Sequence, residues 1–96
     1  MYLRGRVVGI KFLCSSTPGE APKIGLVVSK KFSKRATDRN LVKRRLRSML
    51  REMIPRLAEG VKLVVIVSRP EIDVSFEGLR HDLLELLKKA SIFYGN

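Results

Sequence analysis

Apolar residues recur along this chain with two different periods, and the periods predict its secondary structure. In the middle of the chain, residues spaced by three or four positions form one stripe of a helix: Val42, Leu46, Met49, Leu50 and Met53. A second stripe of helical spacing lies near the C-terminus: Phe76, Leu79, Leu83, Leu86, Leu87 and Ala90. Both stripes predict amphipathic helices that cover a hydrophobic core.

Three segments rich in β-branched residues predict strands. Residues 6–14 and 23–29 flank a turn-forming stretch that contains Pro18 and Gly19, and this arrangement predicts a hairpin with a flexible loop. Residues 61–68 are almost continuously β-branched, which is typical of a central strand buried on both faces. The resulting order, ββαβα, predicts an α+β fold: a two-layer sandwich with helices packed on one side of a small mixed β-sheet.

Short polar residues mark where the helices begin. Ser33 or Thr37 is positioned to cap the first helix, and Asp38 then lies in its first turn, where a negative charge is favourable. Asp73 or Ser75 is positioned to cap the last helix.

Composition indicates one domain, residues 1–96, since 45% apolar residues suffice for a single modest core. The single cysteine, Cys14, has apolar neighbours and is expected to be a packed strand residue in a reducing compartment. The chain contains no apolar run of about 18 residues and does not begin like a signal peptide, so a cytoplasmic location is expected.

A net charge of +11 suits a nucleic acid or an anionic membrane surface, and residues 29–52 hold half of the twenty Lys and Arg. A helical wheel groups one set of side chains within an arc of about 100°, here called the basic face: Asn40, Lys43, Arg44, Arg47 and Arg51. Solvated faces usually interleave Glu with Lys, and this face does not. Because its like charges repel one another, the basic face predicts binding to a polyanion.

The same segment carries a family resemblance. Lys30-Lys31, Ala36, Arg39-Asn40, Lys43-Arg44 and Arg47 resemble the signature of the bacterial ribonuclease P protein component. The resemblance extends over residues 5–94, including the strand before the motif and the last strand and helix. It implies a left-handed βαβ crossover around the basic helix, which periodicity alone does not predict.

The resemblance implies two RNA-binding sets. Residues expected to bind the RNA subunit are Lys34, Arg35, Arg39, Asn40, Lys43, Arg44, Arg47 and Arg51. Residues expected to bind the single-stranded leader of precursor tRNA are Phe12, Ser29, Lys30 and Lys31. Two of these residues have a structural alternative: Asn40 either bonds RNA or braces the turn, and Phe12 either stacks on a base or belongs to the core.

In such a ribonucleoprotein the RNA subunit is the catalyst, and the enzyme is an endoribonuclease that removes the 5′ leader in tRNA processing. The implied partners are the catalytic RNA and precursor tRNA, with Mg²⁺ bound through the RNA and no obligate protein partner. Members of this family usually open with a basic, aromatic helix. Residues 2–5 resemble only its final turn, so leader binding is expected to be weaker here.

Alternative functions remain open from the residues alone. A general RNA-binding or ribosome-assembly protein with a related sandwich would explain the charge, although not the motif. A stand-alone nuclease is disfavoured because the sequence shows no convergent acid–base set and its one histidine, His81, falls on a polar helix face beside Asp82. A role at a membrane surface would need exposed bulky apolar residues, whereas these stripes are needed to cover the sheet.

Overall fold

A computed structural model describes residues 1–14, 19–70 and 75–93. Its elements in chain order are β1 (Tyr2–Arg4), β2 (Gly9–Cys14), β3 (Lys23–Val28), α1 (Ala36–Met53), a 3₁₀ turn (Ile54–Arg56), β4 (Val61–Val67) and α2 (Phe76–Lys89). The three predicted strands and two predicted helices are all present, together with one additional strand at the N-terminus. The α+β fold class is confirmed.

The four strands form one mixed sheet in the order β1-β2-β4-β3. β2 is antiparallel to both of its neighbours, whereas β3 is parallel to β4. The predicted hairpin is therefore wrong: β4 lies between β2 and β3. Which strands pair depends on residues that are far apart in the sequence. Here β4, the strand with the most β-branched residues, has a partner along both of its edges, so neither edge is left open. The left hand of the β3-α1-β4 connection stays a prediction.

β4 is central, as predicted, but it is not buried on both faces. Val61, Leu63, Val65 and Val67 are buried, and the alternate positions include exposed Lys62 and half-buried neighbours. Both helices pack on the Val61 side, and within the described residues no helix covers the other face of the sheet. Their buried residues join the strands in one core cluster.

Most of the predicted helical stripes reach this core. All five stripe residues of α1 are buried. In α2, Leu79, Leu83, Leu86 and Leu87 are buried, and each such side chain contributes about 1.5–3 kcal/mol. Phe76 is 38% exposed, so its assignment to the core stripe is wrong. It is the first residue of α2, directly after the capping Ser75.

The first residues of the chain form a strand instead of the final turn of a helix. Leu3 pairs with Ile10 and Arg4 with Gly9, and the amide of Phe12 donates to the carbonyl of Met1 at 2.9 Å. A helical turn of so few residues is unstable because its nucleation cost is not repaid. The free edge of β2 offers these residues backbone partners instead.

Asp82 has a structural role that the sequence did not predict. Its carboxylate is only 7% exposed and accepts three backbone amides, from Arg6 at 3.1 Å, Val7 at 2.9 Å and Val8 at 2.8 Å. These bonds tie the β1-β2 connection to α2. A Cβ at Gly5 would clash with the same carboxylate, so glycine permits this close approach.

Three further local predictions have mixed outcomes. Ser75 caps α2 by accepting the Gly78 amide at 3.1 Å, as predicted, while the alternative cap Asp73 lies outside the described residues. Neither Ser33 nor Thr37 caps α1, because the helix begins after Arg35 and has no side-chain cap. Cys14 is exposed instead of packed, so that prediction is wrong; it is the last residue of β2 and pairs with Val61.

Candidate nucleic-acid interface

The basic face lies on the side of α1 turned away from the core. Asn40, Arg44, Arg47 and Arg51 are exposed, and Lys43 is half-buried. Because the opposite stripe, from Val42 to Met53, anchors this helix of 18 residues on the core, these side chains are held on a rigid element and not on a loop. The predicted arrangement of the basic face is therefore present in the structure.

A small hydrogen-bond network orders the residues that lead into α1. The Ser33 hydroxyl donates to the Asp38 carboxylate at 2.8 Å, and the same oxygen accepts the Arg35 amide at 3.2 Å. The guanidinium of Arg39 donates to the Ser33 carbonyl at 2.8 Å. Arg39 therefore braces this turn, while exposed Asn40 is left facing solvent. A guanidinium has five N–H donors, so Arg39 retains others for a phosphate.

The two carboxylates of α1 do not neutralise its basic face. Asp38 is engaged by Ser33, and Glu52 pairs with Arg80 of α2 at 3.3 Å. Among the ion pairs formed within residues 1–14, 19–70 and 75–93, none includes a side chain of the basic face. The repulsion, about 0.2–0.5 kcal/mol for each close pair, is thus uncompensated in the free protein. A phosphate backbone supplies the missing counter-charge.

Four exposed cations continue this positive surface before the helix begins: Lys30, Lys31, Lys34 and Arg35. Ser29 fixes their turn in place. Its amide donates to the Val67 carbonyl at 2.9 Å, and its hydroxyl accepts the Lys31 amide at 3.1 Å. Half-buried Phe32 packs against the core and holds the inner side of the turn. The lysines therefore project from an ordered segment.

Phe12 lies away from the other predicted leader-binding residues. It sits opposite Leu63 on the helix-covered face of the sheet and packs, half-buried, against the core. Ser29 follows Val28, which pairs with Val67. Leu63 and Val67 are four positions apart along β4, so the two rows are separated by about 13 Å. The structure thus does not gather the four residues into one cluster, and the stacking role of Phe12 stays a prediction.

No catalytic constellation is found in the described ranges. His81 is exposed and faces Glu85 at 3.3 Å on the surface of α2. Within residues 1–14, 19–70 and 75–93, no group of three or more His, Cys, Asp or Glu side chains is placed to hold a metal ion. Over the same part of the chain, no helix is both long and apolar enough to cross a membrane.

The structure also shows a groove that the sequence did not predict. It lies where the flank of α1 that carries Arg47 and Arg51 meets β3. The groove exists because β3 is an edge strand that lies beside α1. The sequence pattern predicted instead that β3 pairs with β2 in a hairpin, so it gave no sign of the groove. In the sequence its lining residues belong to a strand and a helix that are far apart, and nothing indicates that they come together.

Comparison with known proteins gives consistent results. The sequence profile of the family described as ribonuclease P matches residues 4–91. A ribonuclease P protein component from Pseudanabaena sp. is 38% identical over 93 residues, covering 97% of this chain and 79% of that protein. One from Microcystis aeruginosa is 33% identical over 90 residues, covering 94% and 74%.

Solved structures resemble the fold closely. The ribonuclease P protein from Thermotoga maritima superposes with a TM-score of 0.77 at 30% identity, covering 93% of this chain and 82% of that one. The Staphylococcus aureus protein superposes with a TM-score of 0.81 at 24% identity, covering 97% and 83%. The second comparison supports the fold alone.

Proposed function

Because this chain belongs to the ribonuclease P protein family, we propose that it binds the catalytic RNA of ribonuclease P and assists the removal of the 5′ leader from precursor tRNA. The observation that carries the proposal is the uncompensated basic face on a rigid helix. It coincides with the residues of the family signature. In this role the protein is a non-catalytic subunit of an endoribonuclease.

The basic face is proposed to contact phosphates of the RNA subunit. Lys43, Arg44, Arg47 and Arg51 present cationic heads in one direction, as phosphate binding requires. Lys34 and Arg35 extend this surface, and Arg39 adds a guanidinium already oriented by the Ser33 carbonyl. Asn40 is exposed beside these residues, and we propose that it hydrogen-bonds to the RNA. The alternative role, bracing the turn before α1, is taken by the hydrogen bond from Arg39 to the Ser33 carbonyl.

Leader binding is proposed for the segment before α1 together with Phe12. Lys30 and Lys31 are exposed on the turn that Ser29 orders, which suits contacts to a single-stranded phosphate backbone. Phe12 is half-buried, so a base of the leader would stack on the exposed part of its ring. Precursor tRNA is therefore the proposed substrate of the complex. The proposed location is the cytoplasm, and the proposal requires no further protein partner.

Magnesium is proposed to act through the RNA. Mg²⁺ is bound by carboxylate, carbonyl and phosphate oxygens with several retained waters. The basic face offers ammonium and guanidinium groups, which bind the phosphates and not the metal. This chain then contributes by neutralising and orienting RNA, and it supplies no acid or base to the cleavage step.

The test is cleavage of precursor tRNA by a bacterial ribonuclease P RNA at low magnesium, with and without this protein. Stimulation that requires both RNA and protein is expected, because the protein's cations replace part of the counter-ion that magnesium otherwise supplies. The protein alone serves as the control and is expected to cut nothing. Tight binding to the RNA without any stimulation would instead favour a general RNA-binding protein.

A further inference from the structure

A groove runs beside the basic face, between β3 and the C-terminal half of α1. Six side chains line it and enclose about 330 Å³: Ile24, Leu26, Arg47, Leu50, Arg51 and Ile54. The volume falls at the lower end of the range for small-ligand sites, so a compact group fits and a helix does not.

The groove combines an apolar interior with a cationic rim. Leu50 is buried at its base, Ile24 and Leu26 are half-buried, and Ile54 is 39% exposed. Arg47 and Arg51 are both exposed and stand one helical turn apart, so they share one flank of α1. The complementary ligand is therefore a flat or compact apolar group attached to negative charge.

The other wall of the groove is formed by β3, which offers backbone hydrogen-bonding groups. β3 is at the edge of the sheet and, among the strands described, pairs only with β4. The outer N–H and C=O groups of such an edge strand are open to a further hydrogen-bond partner. A nucleobase has an apolar face and a polar edge, and it is joined to phosphates, so it matches the apolar lining, the open strand edge and the arginine pair together.

We propose that this groove receives one unstacked base of the RNA, while Arg47 and Arg51 hold the phosphates on either side of it. The inference rests on the proposed function, because it places the groove within the same RNA contact. Proteins read RNA chiefly through unpaired bases that are splayed out and stacked on aromatic side chains or arginine planes, and of these two the groove offers the arginine planes. The charge complementarity of the rim selects a nucleotide over an uncharged apolar ligand.

The consequence is that the protein recognises the shape of the RNA as well as its charge. Phosphate contacts alone position a protein without selecting a sequence or a structure. A base seated in the groove requires an unpaired nucleotide at one fixed position relative to the phosphates on α1. A continuous duplex would leave the groove empty.

The first test replaces Ile54 with a polar side chain of similar size, Ile54→Gln. Binding of a bacterial ribonuclease P RNA should weaken by about fivefold, because the apolar contact between the Ile54 side chain and the base is lost. The dependence of log Kd on log salt should be unchanged, because no phosphate contact is removed. The matched control is Leu13→Gln, at a residue 64% exposed on the open face of the sheet, whose affinity should stay within about twofold of the wild type.

The second test does not depend on how well Ile54→Gln folds. A benzophenone amino acid is placed at position 54 or, as the control, at position 13, and the complex with the same RNA is irradiated. Position 54 should crosslink to one or two nucleotides that are unpaired in the RNA. Crosslinks spread over many nucleotides, or to paired ones, would overturn the groove assignment.

The outcomes separate this inference from the function on which it rests. A wild-type protein that neither binds the RNA nor stimulates cleavage contradicts the proposed function itself. A wild-type protein that binds and stimulates, together with a folded Ile54→Gln variant of unchanged affinity, contradicts only the groove. Circular dichroism of each variant verifies that it is folded.

Discussion

Asp82 shows how one side chain can join segments that are far apart in the sequence. Its three amide donors lie 74 to 76 residues before it. Asp82 stands three residues after Leu79 and four before Leu86, at the border of the apolar stripe of α2, so its helical position permits burial although its charge argues against it. Sequence reasoning placed it on the polar face with His81, because nothing local indicates that the β1-β2 connection presents three amides to it. The role appears only when both segments are folded.

We predict that Asp82→Ala destabilises the protein by about 2–4 kcal/mol, because three amides that are partly or fully buried lose a charged acceptor. Urea unfolding measures the change. The matched control is Glu85→Ala, three residues further along α2, where the carboxylate is exposed and pairs with His81 on the same helix. That variant should change the free energy of unfolding by less than about 0.5 kcal/mol. Equal effects for the two variants would contradict the anchoring role.

At the scale of elements, the helices were predictable and the strand pairing was not. The apolar residues of α1 recur every three or four positions, which is the pattern of a helix buried on one side, and all five residues of this stripe are buried. The partner of β3 depends on β4, which follows 18 helical residues later, so local turn residues favoured the wrong hairpin. For the same reason the basic face was predictable from the sequence, while the groove between α1 and β3 was not.

The next prediction concerns α1 as an RNA-binding element. Arg44→Glu combined with Arg47→Glu should weaken binding to the ribonuclease P RNA by about a hundredfold or more, because two attractive contacts become repulsive. Helix content by circular dichroism should be unchanged, since both side chains are exposed and point away from the core.

A control for net charge is available on the open face of the sheet. Lys23 and Lys62 are exposed cross-strand partners, so Lys23→Glu with Lys62→Glu makes the same change in charge away from α1. This control should lower the affinity only modestly, through the overall field. Equal losses in the two double variants would show that charge, and not the basic face, determines binding. Loss of helix content in the α1 variant would contradict the assigned orientation.

At the scale of the whole molecule, positive charge is concentrated on one side. The chain carries a net charge of +11. The basic face of α1 takes no part in the ion pairs formed within the described residues, whereas α2 contributes Glu77 and Glu85 to another surface. Such asymmetry orients the protein toward a polyanion before contact is made. It also means that affinity should depend strongly on salt.

If the basic surface neutralises about six phosphates, the slope of log K against log salt should be about −4 to −5. The affinity would then fall by about 250-fold to 1000-fold between about 50 and 200 mM salt. Titration of a labelled ribonuclease P RNA at four or more salt concentrations measures the slope. A flat response would contradict binding through the basic face, and Arg44→Ala should reduce the slope by about one unit.

The most direct test of the account compares three proteins in the cleavage of precursor tRNA by ribonuclease P RNA at low magnesium: the wild type, the α1 double variant and the Lys23 and Lys62 control. The account predicts stimulation by the wild type and by the control, and none by Arg44→Glu with Arg47→Glu at equal protein concentration. Stimulation by the α1 double variant equal to that of the wild type would contradict the claim that the basic face carries the function.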